Sequence, residues 1–172
     1  MKEIVIQVPE GKKAEWINGV LTLVDDDSRD ITERIKTFDD ACAYLGGQHL
    51  FVREYIHAES MQEASENIKM YLRLRIIITA LNENWRPKYT EGEIRYTLMF
   101  AEHERSKIDN ASEEVKKKFI FVKLNDEIKV FKYNYMYERH NDYGLNLFLK
   151  NEKLAQYACM QFGSEWIRYL RS

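Results

Sequence analysis

The longest apolar stretch of the chain, residues 68–85, predicts a helix that other elements bury. Its apolar residues cover most of the circumference of a helix instead of one stripe, which is typical of a core helix. They are Ile68, Met70, Tyr71, Leu72, Leu74, Ile76, Ile77, Ile78, Ala80 and Leu81. Ser60 with Glu63 predicts a capping box before the helix. Asn84 and Pro87 predict its end, since asparagine accepts a left-handed backbone and proline stops a helix.

Two positions in this stretch lead to specific expectations. Ile77 is expected to lie in the core, whereas Arg75 lies within the apolar arc and carries a charge. An unpaired buried guanidinium is unfavourable, so we expect Arg75 to have a carboxylate or carbonyl partner within hydrogen-bond distance. The stretch is too short, and too interrupted by arginines, to span a membrane.

The N-terminal residues predict a small sheet. Residues 3–8 have the apolar pattern of a strand, and a Pro-Glu-Gly turn follows it. The Asn-Gly pair at the centre of residues 16–21 is a strong hairpin signal, so we predict a three-stranded meander that ends near Val24. The acidic run at residues 25–27 predicts a solvated loop, because consecutive carboxylates cannot all face one metal ion.

Helix signals fill much of the remaining N-terminal half. Residues 30–35 and 37–45 predict two short helices, and Thr37 with Asp40 caps the second. The secondary structure of residues 48–57 is ambiguous. After the central helix, the pattern predicts a strand at residues 94–100. A further short helix is predicted to open at Ser112.

The C-terminal part predicts a hairpin, a strand and a long helix. Residues 119–124 and 128–137 flank a turn at residues 125–127, and residues 145–149 predict another strand. A helix is expected to start near Asn151, because apolar residues recur there at helical spacing. This stripe consists of Leu154, Ala155, Ala158, Cys159, Phe162, Trp166, Tyr169 and Leu170.

The strand at residues 131–137 is the first candidate binding surface. Its aromatic residues alternate, so they point to one face of the sheet, and they are Phe131, Tyr133, Tyr135 and Tyr137. Basic side chains accompany them, namely Lys116, Lys117, Lys118, Lys123, Lys129 and Lys132. Such a surface can stack bases of single-stranded nucleic acid or bind sugars. The alternative, which we favour, is that the C-terminal helix covers this face and buries Tyr133 and Tyr135.

A second candidate is the segment after the central helix. Trp85, Tyr89 and Tyr96, with Arg86 and Arg95, could form an aromatic pocket that also holds arginines. The alternative is that Trp85 and Tyr96 close the end of the core while the arginines extend to solvent. No cofactor and no metal site is predicted. His49, His57 and His103 have no partners at ligand spacing, and Cys42 and Cys159 are expected to be buried free thiols.

Composition indicates one ordinary globular domain of residues 1–172, with residues 1–25 as a possible small subdomain. The strands come in adjacent hairpins, so we predict an α+β fold of antiparallel strands packed on the central and C-terminal helices. The formal net charge of −2 conceals an asymmetry, since residues 1–66 carry −7 and residues 116–172 carry +5. The absence of an apolar stretch of signal-peptide length favours a cytoplasmic protein.

Three stretches give the chain a resemblance to a known protein family. They are residues 31–42 (ITERIKTFDDAC), residues 72–96 (LRLRIIITALNENWRPKYTEGEIRY) and residues 144–162. In the third stretch the matching residues are Leu147, Lys150, Leu154, Ala155, Tyr157, Gln161 and Phe162. The chain thereby resembles an uncharacterised family of gut bacteria and their prophages, for which no catalytic motif is known. It departs from that family at residues 98–100, where a Trp-Phe pair is usual, and in the bulkier segment 132–142.

These observations favour a non-catalytic structural or interaction protein of phage or mobile-element origin, located in the cytoplasm or a phage particle. The chain has no phosphate loop, nucleophile elbow or HExxH motif, so it offers no catalytic residues. A protein partner is the expected one, nucleic acid is the less favoured one, and no membrane is expected. The alternative is a module that binds carbohydrate or single-stranded nucleic acid. Its ligand-binding residues would be Tyr133, Tyr135, Tyr137, Lys132, Trp85, Arg86 and Tyr96.

Overall fold

The computed structural model describes residues 5–9, 11–26, 28–90, 92–138 and 147–171, and it confirms an α+β fold. The strands are β1 (Lys12–Ile17), β2 (Val20–Asp25), β3 (Arg95–His103), β4 (Phe119–Leu124) and β5 (Glu127–Glu138). The helices are α1 (Ile31–Arg34), α2 (Phe38–Leu45), α3 (Leu50–Ser60), α4 (Glu66–Leu81), α5 (Arg105–Asp109), α6 (Glu113–Lys116) and α7 (Glu152–Arg171). Within these ranges β1 pairs with β2, and a second antiparallel sheet has the order β3-β5-β4.

Helix α4 is the buried helix that the apolar stretch predicts. Leu74, Ile76 and Ile77 are each 0 % exposed. Helices α2, α3 and α7 all pack against α4, which explains why apolar residues occupy most of its circumference. The expectation that Ile77 lies in the core is confirmed.

Helix α7 joins the helices to the second sheet. It packs against α4 and against all three strands β3, β4 and β5. Most of the predicted stripe is buried, including Leu154, Ala158, Phe162 and Trp166, but Leu170 is 59 % exposed, so the prediction is wrong for this last position. Gly163 faces the sheet, where an added Cβ would collide with the side chain of Ile120. The absence of a side chain there allows the backbone of α7 to approach the sheet closely.

The N-terminal meander is smaller than predicted. Residues 5–9 form no strand, so the prediction of a strand at residues 3–8 is wrong for its described part. Val5 is 85 % exposed, so the apolar side chains of this segment gain no burial, on which the stability of a strand depends. The hairpin of β1 and β2 is confirmed. Asn18 and Gly19 have φ angles of 51° and 79°, the left-handed conformations of a two-residue hairpin turn.

The ends of α4 differ from the prediction. Ser65, not Ser60, caps the helix, and its hydroxyl accepts a hydrogen bond from the Ile68 amide. Ser60 instead ends α3, where its hydroxyl donates to the carbonyl of His57. Asn84 has the predicted left-handed backbone, but the helix already ends at Leu81.

Several other elements are confirmed. Thr37 and Asp40 form the predicted capping box of α2, and Ser112 caps α6. The ambiguous residues 48–57 belong largely to α3, whereas α5 is an element that the sequence did not predict. The sequence of residues 140–144 (HNDYG) also predicts a turn, and these residues lie outside the described ones. Of the strand predicted at residues 145–149, the described part forms one isolated bridge, between Leu149 and Tyr96.

Asn82, the residue that ends α4, holds this bridge segment in place. It is 2 % exposed. Its amide nitrogen donates to the carbonyl of Phe148 at 2.7 Å, and its side-chain oxygen accepts from the Lys150 amide at 3.0 Å. A short piece of extended chain between Phe148 and Lys150 is thereby fixed to the end of the central helix.

We expect Asn82→Ala to lower the free energy of unfolding by about 1–3 kcal/mol, because two backbone groups lose their partners in a buried environment. Urea denaturation followed by circular dichroism measures the change. Asn110→Ala, at an exposed helix end, is the matched control and should change stability by less than about 0.5 kcal/mol. Equal effects of the two substitutions would show that the buried bonds of Asn82 do not matter for stability.

Candidate functional site

The aromatic face of β5 is covered by α7, as the favoured alternative predicted. Phe131 is 4 % exposed, and it packs with Ile167 of α7. Tyr133 and Tyr135 are half-buried and pack against the main core. A platform for nucleic-acid bases would require these rings to be open to solvent.

Hydrogen bonds also fix the two tyrosines. The Tyr133 hydroxyl donates to the carbonyl of Lys117 at 3.2 Å, and the Tyr135 hydroxyl donates to Glu152 Oε1 at 2.6 Å. The bond to the Glu152 carboxylate raises the pKa of Tyr135 above its ordinary value. Both hydroxyls therefore stabilise the fold, which leaves fewer groups on this strand for a ligand.

The remaining predicted residues of the strand do not form one surface with these rings. Tyr137 is 58 % exposed at the end of the stripe. Lys132 is exposed. Because successive residues of a strand point to opposite faces, it lies on the other face of β5 from Phe131 and Tyr133. Tyr96 is half-buried, with its ring centroid 6.4 Å from that of Tyr135. The structure thus places Tyr96 with the covered aromatic face.

The lysines that accompany the strand are not one continuous phosphate-binding patch. Three of them form ion pairs with acidic residues of their own neighbourhood, which are Lys116 with Glu113, Lys123 with Asp126, and Lys129 with Glu127. Each pair reduces the positive potential that a phosphate chain would meet.

Trp85 and Arg86 line a cavity of about 190 Å³, which we name the arginine cavity. Its walls come from α3, α4, the segment after α4 and the bridge segment, and they include Phe51, Arg75, Trp85, Arg86, Tyr89 and Phe148. Arg86 is exposed, Arg75 and Trp85 are half-buried, and Phe148 is buried. None of the described residues that line the cavity is acidic.

Arg95 lies behind this cavity. It is 1 % exposed, so the expectation that it extends to solvent is wrong. Its guanidinium carbon lies 4.5 Å from the centroid of the Tyr89 ring and 5.0 Å from that of Phe148. These contacts hold the two rings that line the cavity, since a guanidinium is attracted to aromatic faces.

Arg75 has a different partner from the one predicted. Its guanidinium carbon lies 4.3 Å from the centroid of the Phe51 ring, and no carboxylate among the described residues pairs with it. The prediction of a carboxylate or carbonyl partner is therefore wrong for this part of the chain. The face of the Phe51 ring takes that place, since an aromatic face attracts a cation.

The paired arginine of α4 is Arg73. It forms two hydrogen bonds with Glu165 of α7, of 2.9 Å and 3.3 Å, and a third with the Tyr55 hydroxyl at 3.2 Å. Its guanidinium carbon also lies 3.9 Å from the centroid of the Phe38 ring. Burial by itself would lower the pKa of Arg73, but the bonds to Glu165 and Tyr55 outweigh it and raise that pKa. This residue joins four helices.

The hairpin of β1 and β2 is a further candidate surface, which the sequence pattern did not indicate. Residues 16–24 contain no charged side chain, in a chain of which 31 % is charged. Trp16 is 74 % exposed and Val20 is 64 % exposed. The strand register puts Trp16 on one face of the hairpin and Val20 on the other. Both faces therefore present apolar side chains to solvent.

A larger groove, of about 850 Å³, lies near the ends of α4 and α7 and the turn between β4 and β5. Its charged residues largely pair with one another. Glu102 accepts from Arg171, and Lys129 pairs with Glu127. A groove whose charges are already compensated offers little specific attraction to a charged ligand.

The described residues contain no cluster of three or more metal-ligating side chains. Burial raises the pKa of the Cys159 thiol to about 12, so this cysteine is not a nucleophile at neutral pH. In the described ranges, no helix has the length and apolar character needed to cross a membrane. No protein-family model, curated protein or solved structure matches the chain.

Proposed function

We propose that the protein is a non-catalytic interaction protein that binds another protein through the hairpin of β1 and β2. The observation that carries this proposal is the exposure of apolar side chains on both faces of the hairpin, with Trp16 74 % exposed. An isolated two-stranded hairpin is only marginally stable in water. A partner that covered it would stabilise the hairpin and remove apolar surface from water in one step.

The energetics fit a protein partner. Covering the side chain of a large apolar residue contributes about 1.5–3 kcal/mol, and tryptophan is the residue most enriched at the centres of protein interfaces. The uncharged residues 16–24 lie between Glu15 and the acidic residues at the end of β2. In the register of the hairpin these charged positions share its open end, so the end that carries the turn presents uncharged residues to a partner.

The hairpin also offers backbone groups. In the part of the chain that the structure describes, β1 and β2 pair only with each other. Their outer edges can extend a sheet of the partner by strand addition, in which main-chain hydrogen bonds supply affinity and side chains supply specificity. The resemblance to proteins of gut bacteria and their prophages makes a phage or host protein the expected partner, in the cytoplasm or a phage particle.

The test places the photo-crosslinking residue benzoylphenylalanine at Trp16 and, as a matched control, at the exposed Glu59 of α3. In a gut bacterium, irradiation should give one discrete adduct at position 16 and none at position 59. The purified partner should then bind the wild-type protein at least tenfold more tightly than Trp16→Ser, as expected for a central interface residue.

The Trp16→Ser substitution should leave the thermal unfolding midpoint unchanged, because the side chain is largely exposed in the free protein. An adduct with a second copy of the chain would identify self-association as the interaction. Equal adducts at positions 16 and 59, or equal affinity of Trp16→Ser and wild type, would contradict the proposal.

A further inference from the structure

The arginine cavity carries an inference that does not depend on the hairpin. Two guanidinium groups, Arg75 and Arg86, line it together with the Trp85 indole, and none of its described lining residues is acidic. Elsewhere in the described chain, Arg73, Arg105 and Arg171 pair with carboxylates. Two cations that line one cavity, with no acid among its described residues, attract an anion.

Arg75 has N–H donors to offer a ligand. Its guanidinium carbon lies 4.3 Å from the centroid of the Phe51 ring. The N–H donors of a guanidinium lie along its edge, and no carboxylate among the described residues pairs with those of Arg75. That edge matches the two oxygens of a carboxylate, which an arginine binds through a pair of parallel hydrogen bonds.

The C-terminal end of α4 repels an anion, but only weakly. Residues Ile78, Thr79 and Asn82 of the cavity wall lie at its C-terminal end, where a helix carries about half a negative elementary charge. The carbonyls of Ile78 and Thr79 already accept hydrogen bonds from the backbone amides of Asn82 and Asn84. Two full positive charges on Arg75 and Arg86 exceed this partial charge.

The size and walls of the cavity limit the ligand. Its volume of about 190 Å³ is below the roughly 300–1,000 Å³ of sites for drug-sized molecules. Phe51, Trp85 and Phe148 give it apolar, flat walls. We infer that the arginine cavity binds a small carboxylate with a flat apolar body, which comes from a free molecule or from the last residue of a polypeptide.

Binding to the arginine cavity can be measured on the three tryptophans of the chain. Each has an indole N–H that gives its own signal in a proton–nitrogen correlation spectrum. Trp85 lines the cavity, Trp16 lies on the hairpin, and Trp166 is buried in the core. Titration with benzoate should shift the Trp85 signal progressively and leave the signals of Trp16 and Trp166 in place.

Neutral and mutant controls test the role of charge. Benzamide has nearly the shape of benzoate without its charge, and it should bind at least about tenfold more weakly. Arg86→Gln and Arg75→Gln should each weaken benzoate by about tenfold or more. Arg53→Gln removes an exposed arginine that does not line the cavity, and it should leave the affinity unchanged. Arg86→Gln changes an exposed side chain, so it tests the inference even if Arg75→Gln impairs folding.

A second titration separates the two sources of the carboxylate. It uses a short peptide that ends in phenylalanine with a free carboxylate, and the same peptide with its C-terminus amidated. Binding of the free-acid peptide but not the amide assigns the site to a chain end, and binding of benzoate alone assigns it to a free molecule. An unshifted Trp85 signal with every probe, equal binding of benzoate and benzamide, or full affinity in Arg86→Gln would overturn the inference.

Discussion

Ile77→Ala is expected to lower the free energy of unfolding by about 2–5 kcal/mol, the largest effect we predict for this protein. The side chain is 0 % exposed, and α2, α3 and α7 pack around the helix that carries it. The substitution loses the transfer free energy of the removed atoms and also leaves a cavity that a rigidly packed helix cannot fill. Urea denaturation followed by circular dichroism gives the change.

Ile68→Ala is the matched control on the same helix. Ile68 is 52 % exposed, so its truncation removes little buried surface and leaves no cavity. We expect a loss of less than about 1 kcal/mol. A loss as large as that of Ile77→Ala would mean that α4 is rotated about its axis relative to this structure.

Removal of one partner of the Arg73–Glu165 pair is expected to be the second largest effect. Their side chains are 24 % and 17 % exposed. Glu165→Gln leaves the guanidinium partly buried without a countercharge, and we expect a loss of about 2–4 kcal/mol. This is somewhat below the roughly 3–5 kcal/mol of a fully buried pair, because water reaches part of both groups.

A double substitution tests whether the loss comes from the pair. Arg73→Met combined with Glu165→Gln should be less destabilising than the sum of the two single substitutions, since no uncompensated charge remains. The exposed pair of Lys107 and Glu104 is the comparison, and Glu104→Gln should cost less than about 1 kcal/mol. Strict additivity of the two single losses would show that the pair contributes no interaction of its own.

The elements that the sequence predicted correctly are those determined by near neighbours. The Asn-Gly turn at residues 18–19, the capping box of Thr37 and Asp40, and the apolar stripe of α7 all involve groups within a few positions of one another. The same holds for the alternation of Phe131 and Tyr133, which indicated that α7 covers this strand. Local backbone geometry and helical or strand spacing suffice for such predictions.

Apart from the cap of α4, which Ser65 supplies instead of Ser60, the failures concern partners that are distant in the chain. Arg73 and Arg75 are both arginines within an apolar helix, and the orientation of α7 decides that Glu165 meets the first of them. The walls of the arginine cavity join Phe51 to Phe148, which the sequence does not relate. The strand predicted at residues 3–8 has suitable propensity, but propensity alone does not bury side chains, and Val5 is 85 % exposed.

The buried Cys159 thiol can be used to detect the separation of α7 from the sheet. It is 0 % exposed, its sulfur lies 3.5 Å from the carbonyl oxygen of Asn134 in β5, and burial raises its pKa to about 12. Alkylating reagents attack the thiolate, so the closed molecule is almost inert toward iodoacetamide at neutral pH. Iodoacetamide therefore modifies this sulfur only in molecules in which α7 has separated from the sheet. The alkylation rate, divided by that of the urea-unfolded chain, therefore reports the equilibrium population of the opened state.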